Sequence, residues 1–200
     1  MKNNRILAWM MTGLMAVQFL LFLLSWLVSA AWPDVPVRSL LSSEGIRWFF
    51  ARFTSNLASP LLVWLLLGAV AWGAVHYSGL DRAVGRPKSL SYQQRYGLQM
   101  AGGLCFLAVV VMLLLAVAPH AILTNVTGGL FPSSFSMSII PSACFVLMLC
   151  GLLYGLISGS FKEITSAFAS LYRGIADAAP LIVLYIIVCQ LYHSVMFIVR

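Results

Sequence analysis

Charged side chains are what this 200-residue sequence has least of: 8% of its residues are Asp, Glu, Lys or Arg, while 62% are apolar. A soluble domain uses about 25% charged residues to keep its surface wetted. Twelve basic and five acidic side chains cannot cover a 21.9 kDa globule. A soluble enzyme, a nucleic-acid reader and a disordered tail are thereby excluded, and an integral membrane protein is implied. Carboxylates are also missing from the long apolar runs. Asp34, Glu44, Asp81, Glu163 and Asp177 all fall in loops or at helix ends. Charges inside a membrane ordinarily mark ion or proton pathways, so the carboxylate relay usual in pumps is excluded. No CxxC pair occurs, and Cys105, Cys144, Cys150 and Cys189 lie within apolar runs, where thiols pack as small apolar groups. His76, His120 and His193 lack partners at ligand spacing, so neither a metal site nor a cofactor is expected. Neither a GxSxG elbow nor an HExxH helix is present, and enzyme activity is not expected.

What the sequence does contain is length in its apolar runs. A helix needs about 20 mainly apolar residues to cross the hydrocarbon core, and five stretches qualify: 6–28, 57–75, 97–118, 139–157 and 178–199. Backbone groups in lipid must satisfy their own hydrogen bonds, so these runs read as helices. The first follows Lys2 and Arg5 and precedes Val28-Ser29-Ala30, which resembles a signal cleavage site. Its apolar core exceeds the roughly 7–15 residues of a signal peptide, and it reads as an uncleaved span. The fold class is therefore all-α, a single membrane domain over residues 1–200.

The basic residues occupy the gaps between runs, where they meet anionic headgroups and set orientation. Lys2, Arg5, Arg82, Arg86, Lys88, Arg95, Lys162 and Arg173 lie on one side, against Arg38, Arg47, Arg52 and Arg200 on the other. The richer side is cytoplasmic, which predicts an inner-membrane protein of a bacterium with a cytoplasmic N-terminus and a periplasmic C-terminus. Its partner is the lipid bilayer rather than nucleic acid. Two loops are amphipathic. In one, Ile46, Phe49, Phe50 and Phe53 recur at helical spacing beside Arg47 and Arg52. In the other, Phe161, Ile164, Phe168 and Leu171 share a face opposite Lys162, Glu163, Ser166 and Arg173. Both predict short helices in the headgroup plane. The segment 119–138, with TNVTGG and FPSSFS, is too polar for a span; it either forms a short periplasmic loop or re-enters the membrane under cover of protein or water.

Small residues supply a further pattern. Gly151, Gly155 and Gly159 recur every four residues on the fourth span, and Ala69 and Gly73 repeat the spacing on the second. Such spacing lets helix backbones approach closely, so these five are expected at helix contacts. Pro60, Pro141 and Pro180 each fall near the start of a span, where a missing N–H costs little.

Two stretches are similar to a known family. Ser39 to Leu80, SLLSSEGIRWFFARFTSNLASPLLVWLLLGAVAWGAVHYSGL, has a Glu-Gly helix with Trp, then an Asn before a Pro-led span, spaced glycines and a closing Ser-Gly-Leu. Leu130 to about Tyr192 contains SSFSMSIIPSACFVLMLCGLLYGLISGSFKEI followed by ADAAPLIVLYIIVCQ. In order and spacing they resemble the AbgT family, the p-aminobenzoyl-glutamate transporters, over a little more than half the chain. Asn56, Ser59, Gly68, Gly73, Pro141, Gly151, Gly155 and Gly159 match positions of the family pattern.

The resemblance implies an inner-membrane secondary transporter that works as an oligomer, built from two inverted repeats, each carrying a hairpin at the substrate site. After Leu80 this sequence continues into a basic loop and one plain span, and after Gln190 it reads LYHSVMFIVR. It thus reads as a shortened member lacking both hairpin motifs. The expected function is transport of p-aminobenzoyl-glutamate or a related small molecule, as a homo-oligomer or with another membrane subunit. The alternative is a degenerate, non-transporting member that serves as a scaffold or accessory subunit. Transport by the chain alone would require the 119–138 segment to re-enter and converge with the second span. Asn56, Ser59, Asn125, Ser133 and Ser134 are then the candidate substrate path.

Overall fold

The computed structural model describes residues 2–32, 36–86, 90–117 and 134–199. Among them every regular element is a helix: α1 (Lys2–Ala31), α2 (Ser43–Ala51), α3 (Phe53–Leu57), α4 (Pro60–Ser78), α5 (Leu80–Gly85), α6 (Tyr92–Val117), α7 (Ser134–Ile157) and α8 (Ile164–Val199). Five of these, α1, α4, α6, α7 and α8, are long and apolar enough to cross a membrane. The segment read as a periplasmic or re-entrant loop falls mainly on 118–133, outside the described residues, and with it Asn125 and Ser133. Ser134 opens α7.

Local chemistry explains the breaks. Ser42 caps α2, its hydroxyl accepting the Gly45 N–H at 3.0 Å, with Glu44 in the first turn. Both complement the exposed N–H groups of a helix start. Pro60 opens α4, where its missing N–H would have been unpaired anyway. Gly79 has φ 82° between α4 and α5, a left-handed conformation that glycine adopts without Cβ strain.

Two expectations change. Pro141 and Pro180 lie inside α7 and α8 rather than near their starts, because α7 begins at Ser134 and α8 at Ile164. Pro is tolerated within membrane helices where neighbours and local adjustment take up the freed carbonyls. The second amphipathic segment is also not a separate interfacial helix. From Ile164 it runs without a break into the last span, giving 36 continuous residues. At about 1.5 Å per residue this exceeds the roughly 30 Å hydrocarbon core, so one helix serves as both interfacial element and span.

The chain forms two compact units: Met1–Val63 with Ala179–Arg200, and Trp64–Ala178. In the second, the buried residues are mostly small: Ala69, Ala71, Ala74, Ser78, Ala83, Ala101, Cys150 and Ser170. Large apolar side chains such as Trp72, Phe106, Phe145 and Phe168 point outward. Lipid tails are as apolar as Leu, so little is gained by burying large side chains, and close backbone contact governs association. Phe168 and Ile164 accordingly face out, while Ser170 and Gly174 face in. A Cβ on Gly73 would stand 2.7 Å from the Cα of Gly174, and one on Gly151 would stand 2.6 Å from the Ala74 carbonyl carbon.

The first unit is tied differently, by aromatic rings and hydroxyls. Phe22 of α1 meets Phe49 of α2 edge-on at 5.2 Å, and Trp48 stacks on Phe197 at 4.5 Å. Ser25 donates to the Phe22 carbonyl and accepts the N–H of fully buried Leu40 at 3.1 Å. Gly45 fits directly beneath the Ser39–Leu40 backbone.

Candidate functional site

Polar side chains are collected along one face of α8 in the first unit. Tyr185, Cys189, Gln190, His193 and Ser194 recur at intervals of four, one, three and one, which keeps them on one side of a helix with 3.6 residues per turn. Every one of them has a partner from this unit or on its own helix. Asn56, which ends up 6% exposed in α3, donates from Nδ2 to Gln190 Oε1 at 3.5 Å. The Cys189 thiol donates to the Asn56 carbonyl at 2.9 Å. Tyr185 donates to the Leu57 carbonyl at 3.0 Å, so the hydrogen between Ser59 Oγ and Tyr185 Oη, 2.6 Å apart, comes from Ser59. Gln18 of α1 donates from Nε2 to Ser194 Oγ at 3.0 Å, and Ser194 donates to the Gln190 carbonyl. His193 Nδ1 lies 2.9 Å from the Cys189 carbonyl; donation from Nδ1 leaves Nε2 the acceptor in the neutral ring.

The α3–α4 corner brings Asn56 and Ser59 to this face. Two peptide carbonyls at the corner accept from α8: that of Asn56 from Cys189, and that of Leu57 from Tyr185 as well as from the Ser59 N–H at 2.8 Å. Two buried amide atoms, Gln18 Oε1 and Gln190 Nε2, have no partner among the described residues. An unpaired buried polar atom costs about 1–3 kcal/mol. Their pairing is thus incomplete among the described residues, and a polar guest has something to bind.

A cavity of about 390 Å³ opens at the C-terminal end of this face, lined by Arg38, Arg52, Trp48, Asn56, His193 and Phe197, with Glu44 and Met196. Arg38 pairs with Glu44 at 3.7 Å, both exposed, and stands 5.9 Å from the Phe197 ring. Guanidinium groups, an amide, an imidazole and an indole together suit a ligand that has carboxylates and an aromatic ring. No group of three or more His, Cys, Asp or Glu side chains that could hold a metal ion occurs among the described residues.

Of the sequence-predicted path, Asn56 and Ser59 are brought to one polar face. Asn125 and Ser133 lie outside the described residues, and Ser134 is at the start of α7 in the other unit. Tyr185, Gln190 and Gln18 were not singled out in the sequence, and His193 was weighed there only as a metal ligand. Their signal was a periodic polar stripe within an apolar run, which a search for charge alone passes over. Of the small residues, Ala69 is buried and its carbonyl faces Gly174, while Gly73 and Gly151 meet the backbones of α8 and α4. Gly155 meets the Phe161 ring. Gly159 is a turn residue, with φ 76° and open space where a Cβ would be.

Comparison with known proteins places the chain. The family model described as "AbgT putative transporter family" matches residues 73–197. The chain belongs to the AbgT transporter family. That match begins at Gly73, so Asn56 and Ser59 lie before it while Tyr185, Gln190 and His193 lie inside it. It also runs through the basic loop and third span, which the sequence reading had placed outside the resemblance. No curated protein and no solved structure matches the chain.

Proposed function

We propose that this AbgT-family protein carries p-aminobenzoyl-glutamate, or a related aromatic carboxylate, across a bacterial inner membrane. Its N-terminus is cytoplasmic and its C-terminus periplasmic. Its role is transport rather than catalysis. The observation that carries the reading is the polar face of the first unit, with two unpaired buried amide atoms and a cavity at its mouth. In this reading Arg52 and Arg38 meet carboxylates at the mouth, Trp48 meets the aromatic ring, and Asn56, Gln190, Ser59 and Tyr185 offer polar contacts deeper in. From Ser194 to Tyr185 the face extends about 14 Å along α8, less than the roughly 30 Å of hydrocarbon. A second copy or another membrane subunit completes the crossing.

A second reading, a degenerate member acting as scaffold or accessory subunit, draws support from the second unit. There the buried positions are mainly small residues closing helix contacts. The two are separated by uptake and export of labelled p-aminobenzoyl-glutamate in cells expressing only this chain, against an empty vector. Transport that falls severalfold with Asn56→Ala and Ser59→Ala, at unchanged protein level, supports the first. No transport from well-inserted protein supports the scaffold.

A further inference from the structure

A second cavity, of about 420 Å³, lies wholly within the second unit and is unrelated to the polar face of α8. Its walls come from the ends of three spans and the short helix between them. His76 sits in the last turn of α4, Arg82 on α5, Arg86 at its C-cap, Gln94 in the first turn of α6, Tyr154 in the last turn of α7 and Ser160 just beyond. The level is that of the membrane interface, where spans end.

Three features give this cavity a sign. First, none of its lining residues is acidic. Second, the nearest carboxylate in sequence is already occupied: Asp81 Oδ2 is 2.9 Å from His76 Nδ1, and Oδ1 accepts the Arg82 backbone N–H at 2.7 Å. Arg82 accordingly forms no ion pair among the described residues. Third, Tyr154 lines the cavity although it is only 2% exposed, and it places a hydroxyl there. Arg82 and Arg86 are one turn apart on the same side of the chain. Asp177 Oδ2 also reaches the lining, where it accepts from Tyr77 at 2.9 Å. Guanidinium, amide and hydroxyl donors whose neighbouring carboxylates are already engaged are the chemistry of an oxyanion site.

The surroundings are those of a lipid surface. Val84, two residues beyond Arg82, is 65% exposed, and Tyr92 at the start of α6 is 85% exposed. Apolar and aromatic residues at the interface anchor in the headgroup region, and basic pockets between span ends take anionic headgroups. We propose that this cavity binds a phosphate group, presented by an anionic lipid headgroup or as free phosphate, with Arg82 as its principal charge and Tyr154 as a buried donor.

The test uses the full chain purified in a neutral detergent, with its melting temperature followed during three titrations: short-chain phosphatidylglycerol, phosphatidylcholine of the same chain length, and inorganic phosphate. Phosphatidylglycerol should raise the melting temperature saturably and beyond phosphatidylcholine. Arg82→Gln should weaken the half-saturation about fivefold, as expected for one interfacial basic residue. Tyr154→Phe should weaken it too while keeping the buried ring. Arg95→Gln, a basic residue that does not line the cavity, should leave it unchanged. A rise with phosphatidylglycerol alone assigns the headgroup, and a rise with inorganic phosphate as well assigns the free anion; either supports the site. No rise above the phosphatidylcholine control, or equal weakening by Arg95→Gln and Arg82→Gln, overturns it. Arg82 is exposed and forms no ion pair among the described residues, so its variant should melt as the parent does without lipid; Tyr154→Phe tests the site independently.

Discussion

Gly73 offers a direct test of how the second unit is held together. Replacing it with Ala adds one carbon, which would stand 2.7 Å from the Cα of Gly174 and 2.8 Å from its N, and closer still to the Ser170 carbonyl oxygen. Carbon atoms rest at about 3.5–4.0 Å, so α4 and α8 would have to part by roughly 1 Å. Both contacts are backbone, and no side-chain rotation can relieve them. Overpacking of this kind costs about 1–3 kcal/mol. Against it stands the gain from replacing glycine in a helix, up to about 1 kcal/mol. The net expectation for Gly73→Ala is a loss of about 1–2 kcal/mol. Gly68 provides the matched control, since it lies on the same helix and a Cβ there would meet nothing within 4 Å. Gly68→Ala should be neutral or slightly stabilising. Detergent-denaturation midpoints of the purified variants, followed by helical circular dichroism or tryptophan fluorescence, should separate the two by about 2 kcal/mol. If Gly73→Ala were as stable as Gly68→Ala, the backbone contact between α4 and α8 would not exist in the protein.

Two smaller perturbations probe the first unit. Ser25→Ala removes the acceptor of the buried Leu40 N–H and should cost about 1–3 kcal/mol in the same denaturation assay; an unchanged midpoint would mean that the N–H finds another partner. Tyr185→Phe removes the hydroxyl that donates to Leu57 and accepts from Ser59. It should cost about 1 kcal/mol and reduce any p-aminobenzoyl-glutamate uptake severalfold, and uptake at the parental rate would remove Tyr185 from the path.

The spans were readable because their evidence is local. Runs such as 6–28 and 97–118 exceed the length that hydrocarbon demands, and nothing elsewhere in the chain can change that. Ser42 before Glu44 and Pro60 before an apolar run likewise mark helix starts by their own chemistry. The amphipathic stretch from Phe161 to Arg173 was harder. The sequence reads it as a short helix in the headgroup plane; Ile164 and Phe168 do face outward, but the helix runs on into the last span, and Phe161, Ser170 and Gly174 are buried. Hydropathy does not distinguish lipid from protein, so the inward face is set by fit and not by transfer from water. The polar residues of α8 were in plain view but uncharged, and only their shared face makes them a site.

Composition and run length by themselves determined that the chain is a helical membrane protein, and the second of the two quoted stretches lies within the residues that its family's model matches. Those properties depend on residues near one another in sequence. Which glycines touch was decided by tertiary structure: Gly68 and Gly73 look alike in sequence, but only one meets another backbone. Tertiary structure also decided the candidate site, because Asn56 and Gln190 are 134 positions apart. An apolar helix is indifferent to rotation about its axis in lipid, so its contact face is chosen only when a second helix fits against it.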